Sequence, residues 1–267
     1  MLKDKYTFSE LVDIMALLRS DKGCLWDKEQ THESLKKYLI EETYEVLEAI
    51  DLGSKEKLSE ELGDVMLQVV FHAQVGKELG NFDINDVITG ICRKLISRHP
   101  HVFGEAKADT PDAVVDNWEA IKKKEKGIKS QTGVLKDVPS NLPALMRSYK
   151  VQQKAAQVGF DWDNMDDVFE KVNEELNELR DVYKSENMER ITDEMGDVFF
   201  SLVNLSRFLK VQPELALTGT INKFIKRFEY IEQESLKEGR RLEDMSLSEM
   251  DQLWNKAKDY FSSNDAG

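Results

Sequence analysis

Cysteine and long hydrophobic runs are both scarce in this chain of 267 residues. Cys24 and Cys92 are its only cysteines, and they stand far apart and in no CxxC arrangement. A disulfide scaffold and a thiolate metal site are therefore excluded. The longest apolar stretches, 65–71 and 198–205, are much shorter than the roughly 20 residues of a membrane-spanning helix, and Met1–Lys5 lead into no apolar signal segment. We therefore expect a cytoplasmic protein without a membrane partner.

Proline and glycine are also few, with 5 and 14 residues respectively, so long loops are not expected. The prolines fall between amphipathic stretches, where helices must end. No segment keeps up the period-two alternation of a strand, whereas helical spacing recurs throughout. One continuous apolar stripe, for example, is formed by Ile191, Met195, Val198, Leu202, Leu205 and Leu209. These patterns predict an all-α fold.

Basic residues are outnumbered, because 37 lysines and arginines stand against 51 aspartates and glutamates, and the formal net charge is −14. Such a surface repels phosphate backbones, so no nucleic-acid polymer is expected as a partner. The same surface can still bind a smaller polyanion when a divalent cation lies between the two.

The two halves of the chain repeat each other. Glu41–Glu45 is matched by Glu174–Glu178, 133 residues later, and Glu61–Asp64 is matched by Glu194–Asp197 at the same offset. Further matches pair Leu17–Arg19 with Leu145–Arg147, Lys94 and Arg98 with Lys223 and Arg227, and Trp118 and Lys122 with Trp254 and Lys258. The stretch 122–143, rich in Lys, Ser, Gly and Pro, predicts a flexible, mostly solvated linker. We therefore expect a domain over residues 1–127, a linker over 128–144 and a second domain over 145–267.

The repeated acidic residues predict a carboxylate cluster in the second half. Glu175 and Glu178 share one helix face, as do Glu194 and Asp197. An antiparallel hairpin that turns near Glu186 brings the two pairs level with each other. Four facing carboxylates repel one another unless a cation lies between them. Oxygen ligands without a nearby His or Cys favour Mg²⁺, with Mn²⁺ as a substitute.

The first half contains the same arrangement around Gly53, and its candidate metal ligands are Glu42, Glu45, Glu61 and Asp64. The simpler alternative for both clusters is a solvated acidic helix face. That alternative does not explain why the acidic pairs of the two helices lie level with each other in both hairpins. A di-iron carboxylate site is also weak, because it needs ExxH pairs and none of the four histidines lies in the second half.

Cations border the second cluster. Lys171 and Arg190 each precede a carboxylate pair by one helical turn, and Lys223 and Arg227 share one face of a third helix. All four side chains could bind phosphate oxygens. The alternative for Lys171 and Arg190 is an ordinary surface salt bridge with the glutamate four residues on, which is usually worth less than about 1 kcal/mol. A nucleotide base could stack on the ring of Trp254 with Lys258 near the phosphates, whereas the alternative for this tryptophan is a core position. No residue forms a purine-specific code, so loose base selectivity is expected.

With these residues in view, the chain resembles the MazG family. The resemblance rests on the two copies of EExxE followed by ExxD and on two phrases, Gly23–Thr31 (GCLWDKEQT) and Arg98–Phe103 (RHPHVF). It implies two tandem all-α bundles of the four-helix type, a homodimer, and Mg²⁺-dependent hydrolysis of nucleoside triphosphates to monophosphate and pyrophosphate. The implied metal ligands are Glu175, Glu178, Glu194 and Asp197, and the implied nucleotide contacts are Lys171, Arg190, Lys223, Arg227 and Trp254.

The first half departs from this pattern. Tyr38 stands where Lys171 stands in the second half, and Arg93 replaces Asn222. In related tandem proteins the C-terminal half is the active one, so we expect a catalytic second domain and a structural or weakly active first domain. Glu174 is a candidate general base, and its alternative is an exposed helical glutamate. Two other functions stay open: a hydrolase restricted to dUTP or modified nucleotides, and a non-catalytic acidic helical protein that binds an unidentified protein partner.

Overall fold

The computed structural model describes residues 2–107 and 110–264. Over these residues the regular structure is entirely helical and contains no strand, which confirms the predicted all-α fold. The chain divides into two compact units, Met1–Lys124 and Glu125–Gly267, called here the first and the second unit. None of the described helices combines the length and the apolar character that crossing a membrane requires.

The first unit is built around a helical hairpin. Its helices are α1 (Phe8–Leu18), α2 (Leu25–Glu29), α3 (Lys36–Asp51), α4 (Lys55–Glu78), α5 (Ile84–Arg98), α6 (Pro100–Phe103) and α7 (Pro111–Glu125). Between α3 and α4 the chain reverses at Gly53, whose φ of +64° suits a residue without a side chain. Ser54 then caps α4 by accepting a hydrogen bond from the backbone N–H of Lys57. The hairpin packs on α1 through a core of Met15, Leu35, Val70, Phe71 and Val75.

The second unit repeats this hairpin with α10 and α11. Its helices are α8 (Gln131–Lys136), α9 (Ala144–Ala156), α10 (Met165–Val182), α11 (Met188–Phe208), α12 (Pro213–Lys237) and α13 (Leu247–Asn264), with a 3₁₀ turn at Leu242–Asp244. Asparagines cap both hairpin helices, Asn164 at the start of α10 and Asn187 at the start of α11. A separate apolar cluster of Ile231, Met245 and Leu253 joins α12 to α13.

The structure corrects one of the matches between the halves. Leu17–Arg19 lies at the end of α1, whereas Leu145–Arg147 lies at the start of α9, so the two tripeptides are not equivalent. The match of Lys94 and Arg98 to Lys223 and Arg227 keeps its register, because both pairs follow the start of α5 or α12 at the same distance. The helices themselves differ: α5 ends at Arg98, before Pro100, whereas α12 continues to Lys237.

The segment 128–144, predicted as a flexible linker, contains regular structure and packs on the second unit, although most of its residues are exposed. It contains α8, which Ser130 caps by accepting from the backbone N–H of Gly133. Val138 is buried, and the ammonium of Lys126 lies 2.7 Å from a carboxylate oxygen of Asp137. The side chain of Gln131 also donates a 2.6 Å hydrogen bond to the carbonyl of Lys154 on α9. The polar composition of this segment therefore supplies caps and tertiary contacts within the second unit.

Two histidines that are distant in the sequence meet inside the first unit. The Nδ1 atoms of His32 and His72 are 2.8 Å apart, and their nearly parallel rings have a centroid distance of 5.1 Å. The ring of Phe82 is also nearly parallel to that of His32, at a centroid distance of 6.0 Å. Burial and, secondarily, the neighbouring His32 lower the pKa of His72. One imidazole must donate and the other must accept, so double protonation breaks this hydrogen bond.

We therefore expect the first unit to lose stability as the pH falls below about 6.5, the ordinary pKa of histidine in an unfolded chain. The sign follows from linkage: a depressed pKa means that the folded state binds fewer protons than the unfolded state, so stability is present above that pH and is lost below it. Hydrogen exchange of α4 between pH 7.5 and 5.5 measures the loss. His72→Asn should flatten the dependence, whereas His99→Asn should not; an unchanged slope in His72→Asn would contradict the role of this pair.

Candidate metal centre and substrate site

The hairpin of α10 and α11 brings acidic side chains together as its register predicted. One carboxylate oxygen from each of Glu175, Glu194 and Asp197 lies within 4.8 Å of the other two. Glu178 is one turn further along α10 and lies outside this set of close oxygens. It is nevertheless part of the same electrostatic environment: desolvation and the charges of Glu175 and Glu194 raise the pKa of the Glu178 carboxyl.

Glu175 is the buried member of the cluster. Only 6% of its surface is exposed, although an ionised carboxylate is normally found in water. Its Oε1 lies 2.7 Å from the Nζ of Lys171, and its Oε2 is buried without a hydrogen-bond partner. A buried acceptor without a partner is costly in free energy, and a cation bound at this oxygen would remove that cost.

Lys171 contacts two glutamates at once. Besides Glu175, its ammonium donates a 2.8 Å hydrogen bond to Oε1 of Glu174. The hydrogen bonds to Glu174 and Glu175 raise the pKa of Lys171 well above its usual range, so the side chain is fully charged. Lys171 is predicted above as a phosphate contact and Glu174 as a candidate general base. Their i,i+3 spacing is the signal that also indicates an ion pair between them.

The donor set suits a hard divalent cation. All three close ligands offer carboxylate oxygens, which Mg²⁺ and Mn²⁺ prefer. The partnerless Oε2 of Glu175 supplies an acceptor that a bound cation would satisfy. The residues present therefore fit the metal that the sequence suggested.

The first unit contains a similar carboxylate cluster, but the side chains around it are different. Oxygens of Glu42, Glu45 and Glu61 lie within 4.8 Å of one another, and Glu61 is 7% exposed. Asp64 lies outside this close set. After desolvation, the charge of Asp64 is the largest cause of the raised pKa of Glu42. The two close sets therefore differ in one member, because Glu45, the counterpart of Glu178, lies inside the first-unit set and Asp64, the counterpart of Asp197, lies outside it.

The cation beside the second-unit cluster is not repeated in the first unit. Tyr38 occupies the position of Lys171, and the ammonium of Lys37 lies over its ring at 4.6 Å from the centroid. Lys57 pairs with Glu48 at 2.6 Å. The acidic clusters of the two units therefore differ in their neutralising groups.

The predicted phosphate and base contacts form a second group, on α12 and α13. The guanidinium carbon of Arg227 lies 5.5 Å from the centre of the Trp254 ring, and Phe224 lies at 5.1 Å. Trp254 also packs against the core cluster of α12 and α13. Its contacts are therefore compatible with a core position as well as with stacking on a nucleotide base. Lys258 donates to the side chain of Asn255 at 3.2 Å, and Lys223 is exposed.

The two groups are not joined by direct contacts. Within the described residues, no hydrogen bond or ion pair links Lys223, Arg227 or Lys258 to the carboxylate cluster. Arg190, on α11, is exposed, and its backbone N–H donates to the capping side chain of Asn187. A ligand that contacted both groups would have to extend from the carboxylates to α12.

These features define a class: an all-helical protein with two repeated units, each carrying a hairpin whose carboxylates can hold a divalent cation. The sequence profile described as the MazG nucleotide pyrophosphohydrolase domain matches twice, at residues 30–103 and 164–231. Each match includes one of the two carboxylate clusters. The chain therefore belongs to the MazG family, which confirms the resemblance seen in its motifs.

Curated relatives match nearly the whole chain. The nucleoside triphosphate pyrophosphohydrolase/pyrophosphatase MazG of Thermotoga maritima is 49% identical over 251 residues, which cover 94% of this chain and 95% of that protein. The nucleoside triphosphate pyrophosphohydrolase of Escherichia coli K12 is 42% identical over 253 residues, covering 93% of this chain and 95% of the relative. The uncharacterized protein YabN of Bacillus subtilis is 50% identical over 255 residues, which are 95% of this chain and 52% of that protein.

Proposed function

We propose that this protein is a nucleoside triphosphate pyrophosphohydrolase whose active site lies in the second unit. Water would attack the α-phosphorus, so that the products are a nucleoside monophosphate and pyrophosphate. The observation that carries the proposal is the buried Glu175, whose partnerless Oε2 sits in a cluster with Glu194 and Asp197. The names of the relatives from T. maritima and E. coli support the reaction.

Mg²⁺, with Mn²⁺ as a substitute, is the proposed cofactor, held by Glu175, Glu178, Glu194 and Asp197. When bound, such an ion neutralises charge on the triphosphate and makes a bound water more acidic. Burial of Glu175 between the helices preorganises one ligand before binding. Glu42, Glu45, Glu61 and Asp64 form a second, less complete candidate site in the first unit, which we propose is structural or weakly active.

The remaining side chains bind and orient the substrate in this proposal. Lys171, Arg190, Lys223 and Arg227 contact phosphate oxygens, arginine through its planar fork and lysine as a point charge. Trp254 stacks on the base and Lys258 lies near the phosphates, so the base is bound largely through its π-face and selectivity is broad. Glu174 accepts the proton of the attacking water, and its ion pair with Lys171 fixes its position beside Glu175.

The proposal also includes a cytoplasmic homodimer. Apolar side chains remain exposed on one helix of the catalytic hairpin, among them Phe199, Phe200 and Leu202. Soluble monomers rarely leave such side chains adjacent and uncovered, so a second copy of this chain is the proposed cover.

We expect the purified chain to release one pyrophosphate for each nucleoside monophosphate when Mg²⁺ is present, and to lose this activity in EDTA. The assay should compare the common NTPs and dNTPs at equal metal concentration and pH, with and without added inorganic pyrophosphatase. Broad specificity predicts kcat/KM values within about 10-fold of one another, because a stacking site discriminates weakly between bases.

Other outcomes separate the alternatives. Orthophosphate as the first product would contradict attack at the α-phosphorus. Turnover of dUTP or of a modified nucleotide alone would favour the narrower hydrolase. No metal-dependent turnover of any nucleotide would favour a non-catalytic protein that uses its acidic surface to bind a partner.

A further inference from the structure

We propose that Lys171 is an internal counter-cation of the carboxylate cluster, and that its ammonium would move from Glu175 to the triphosphate when the cluster holds a divalent cation. The inference deepens the proposed function and rests on it. It makes Lys171 a substrate-binding residue that also couples metal binding to nucleotide binding.

The geometry places the ammonium where part of the metal's charge would act. Its Nζ lies 2.7 Å from Oε1 of Glu175 and 2.8 Å from Oε1 of Glu174. The Glu175 side chain is 8% exposed, so this ion pair is shielded from water on the glutamate side. Screening is weaker there than on an open helix face, and the pair is correspondingly stronger than an ordinary i,i+4 pair.

Lys171 and a divalent cation therefore compete for the same negative charge. A cation bound between Glu175, Glu194 and Asp197 would repel an ammonium that contacts Glu175 directly. The lysine side chain can respond, because it is a flexible four-carbon stem and 32% of this one is exposed. Released from Glu175, the ammonium becomes available to the anion that the metal attracts.

The first unit contains a natural comparison. Its cluster of Glu42, Glu45 and Glu61 has the uncharged Tyr38 at the corresponding position. The ammonium of Lys57 pairs with Glu48 at 2.6 Å, although its charge also acts on Glu61 and Glu45. Among the described residues, no ammonium therefore contacts the first-unit cluster as that of Lys171 contacts Glu175.

The test measures Mn²⁺ binding to the full chain by electron paramagnetic resonance. All variants carry Glu42→Gln and Glu45→Gln, which weaken Mn²⁺ binding at the first-unit cluster. Without nucleotide, the Lys171→Met variant should bind Mn²⁺ about 3- to 10-fold more tightly than the parent chain that keeps Lys171, because a competing cation is removed. Addition of α,β-methylene-ATP should then tighten Mn²⁺ binding less in Lys171→Met than in the chain that keeps Lys171.

Two controls make the result specific. Lys237→Met removes an exposed i,i+3 pair with Glu234 in the same unit and should leave Mn²⁺ affinity unchanged. Lys171→Arg keeps the positive charge and should stay within about 2-fold of the parent. Equal Mn²⁺ affinity in Lys171→Met and the parent overturns the counter-cation role. Absence of any Mn²⁺ binding by the second unit overturns the proposed function itself.

Discussion

Replacing Glu175 and Glu178 together with glutamine should lower kcat for triphosphate hydrolysis by about 10³-fold or more, whereas the same replacements at Glu42 and Glu45 should leave most of the activity. Glutamine keeps the size of each side chain but removes the charge with which we propose it binds a divalent cation. The measurement is pyrophosphate release at saturating Mg²⁺ and nucleotide, compared between the two double variants.

The asymmetry follows from the groups around each cluster. In the second unit Lys171 lies against Glu174 and Glu175. In the first unit, burial and the neighbouring Glu45 raise the pKa of Glu61, and the position of Lys171 is taken by Tyr38. The charge of Lys57 acts on Glu61 and Glu45, but its ammonium pairs with Glu48 and not with a carboxylate of the first-unit cluster.

The controls test whether the variants fold and which unit is catalytic. Circular dichroism should be the same for both double variants, because all four glutamates lie on helices whose hydrophobic contacts are unchanged. Activity that survives in Glu175→Gln/Glu178→Gln and disappears in Glu42→Gln/Glu45→Gln would reverse the assignment of the catalytic unit. Equal losses in both would indicate that the two units act together.

Much of the hairpin could be predicted from sequence because its determinants are local. The i,i+3 spacing of Glu194 and Asp197 and the position of the turn determine which side chains face each other, and the structure brings those oxygens within 4.8 Å of Glu175. The repeat made the pattern recognisable. The position of Glu178 outside the close set depends on the packing of the two helices, which spacing alone does not specify.

Features that depend on tertiary contacts were not predicted. The segment 128–144 has the composition of a linker, yet Val138 is buried. His32 and His72 are 40 positions apart, and no local sequence pattern predicts that their Nδ1 atoms lie 2.8 Å from each other. The contact between Arg227 and Trp254 likewise joins α12 to α13. Sequence periodicity identifies which face of a helix is apolar, but it does not identify the partner of a polar side chain.

A third long-range contact should dominate the stability of the first unit. Arg19 ends α1 and is almost completely buried, with 5% of its side chain exposed. Its guanidinium donates to both carboxylate oxygens of Glu78, with a shortest distance of 2.7 Å, and to the backbone carbonyls of Asp27 and Gln30. It also lies 5.3 Å from the centre of the Phe71 ring. One side chain thus joins α1, α2 and α4.

Glu78→Gln should reduce the free energy of unfolding of the first unit by about 2–3 kcal/mol, because it leaves a buried guanidinium without its counter-ion while Glu78 itself is only partly buried. The pH dependence has a definite sign. The hydrogen bonds from Arg19 lower the pKa of Glu78, so its contribution is present above about pH 4.3, the ordinary value for glutamate, and is lost as the pH falls through the lowered pKa. Glu78→Gln should remove this part of the acid sensitivity.

Hydrogen exchange of α1 and α4 in the full chain, measured by mass spectrometry at pH 7 and at acid pH, reports on this unit separately from the second. Asp21→Asn is the matched control, since it breaks the exposed pair between Asp21 and Lys28 at 2.5 Å and should lower the stability far less than Glu78→Gln does. Both substitutions replace one carboxylate with its amide in the same unit, so the difference between them isolates burial of the cationic partner. Equal protection losses in the two variants would contradict the argument that the buried Arg19 depends on Glu78.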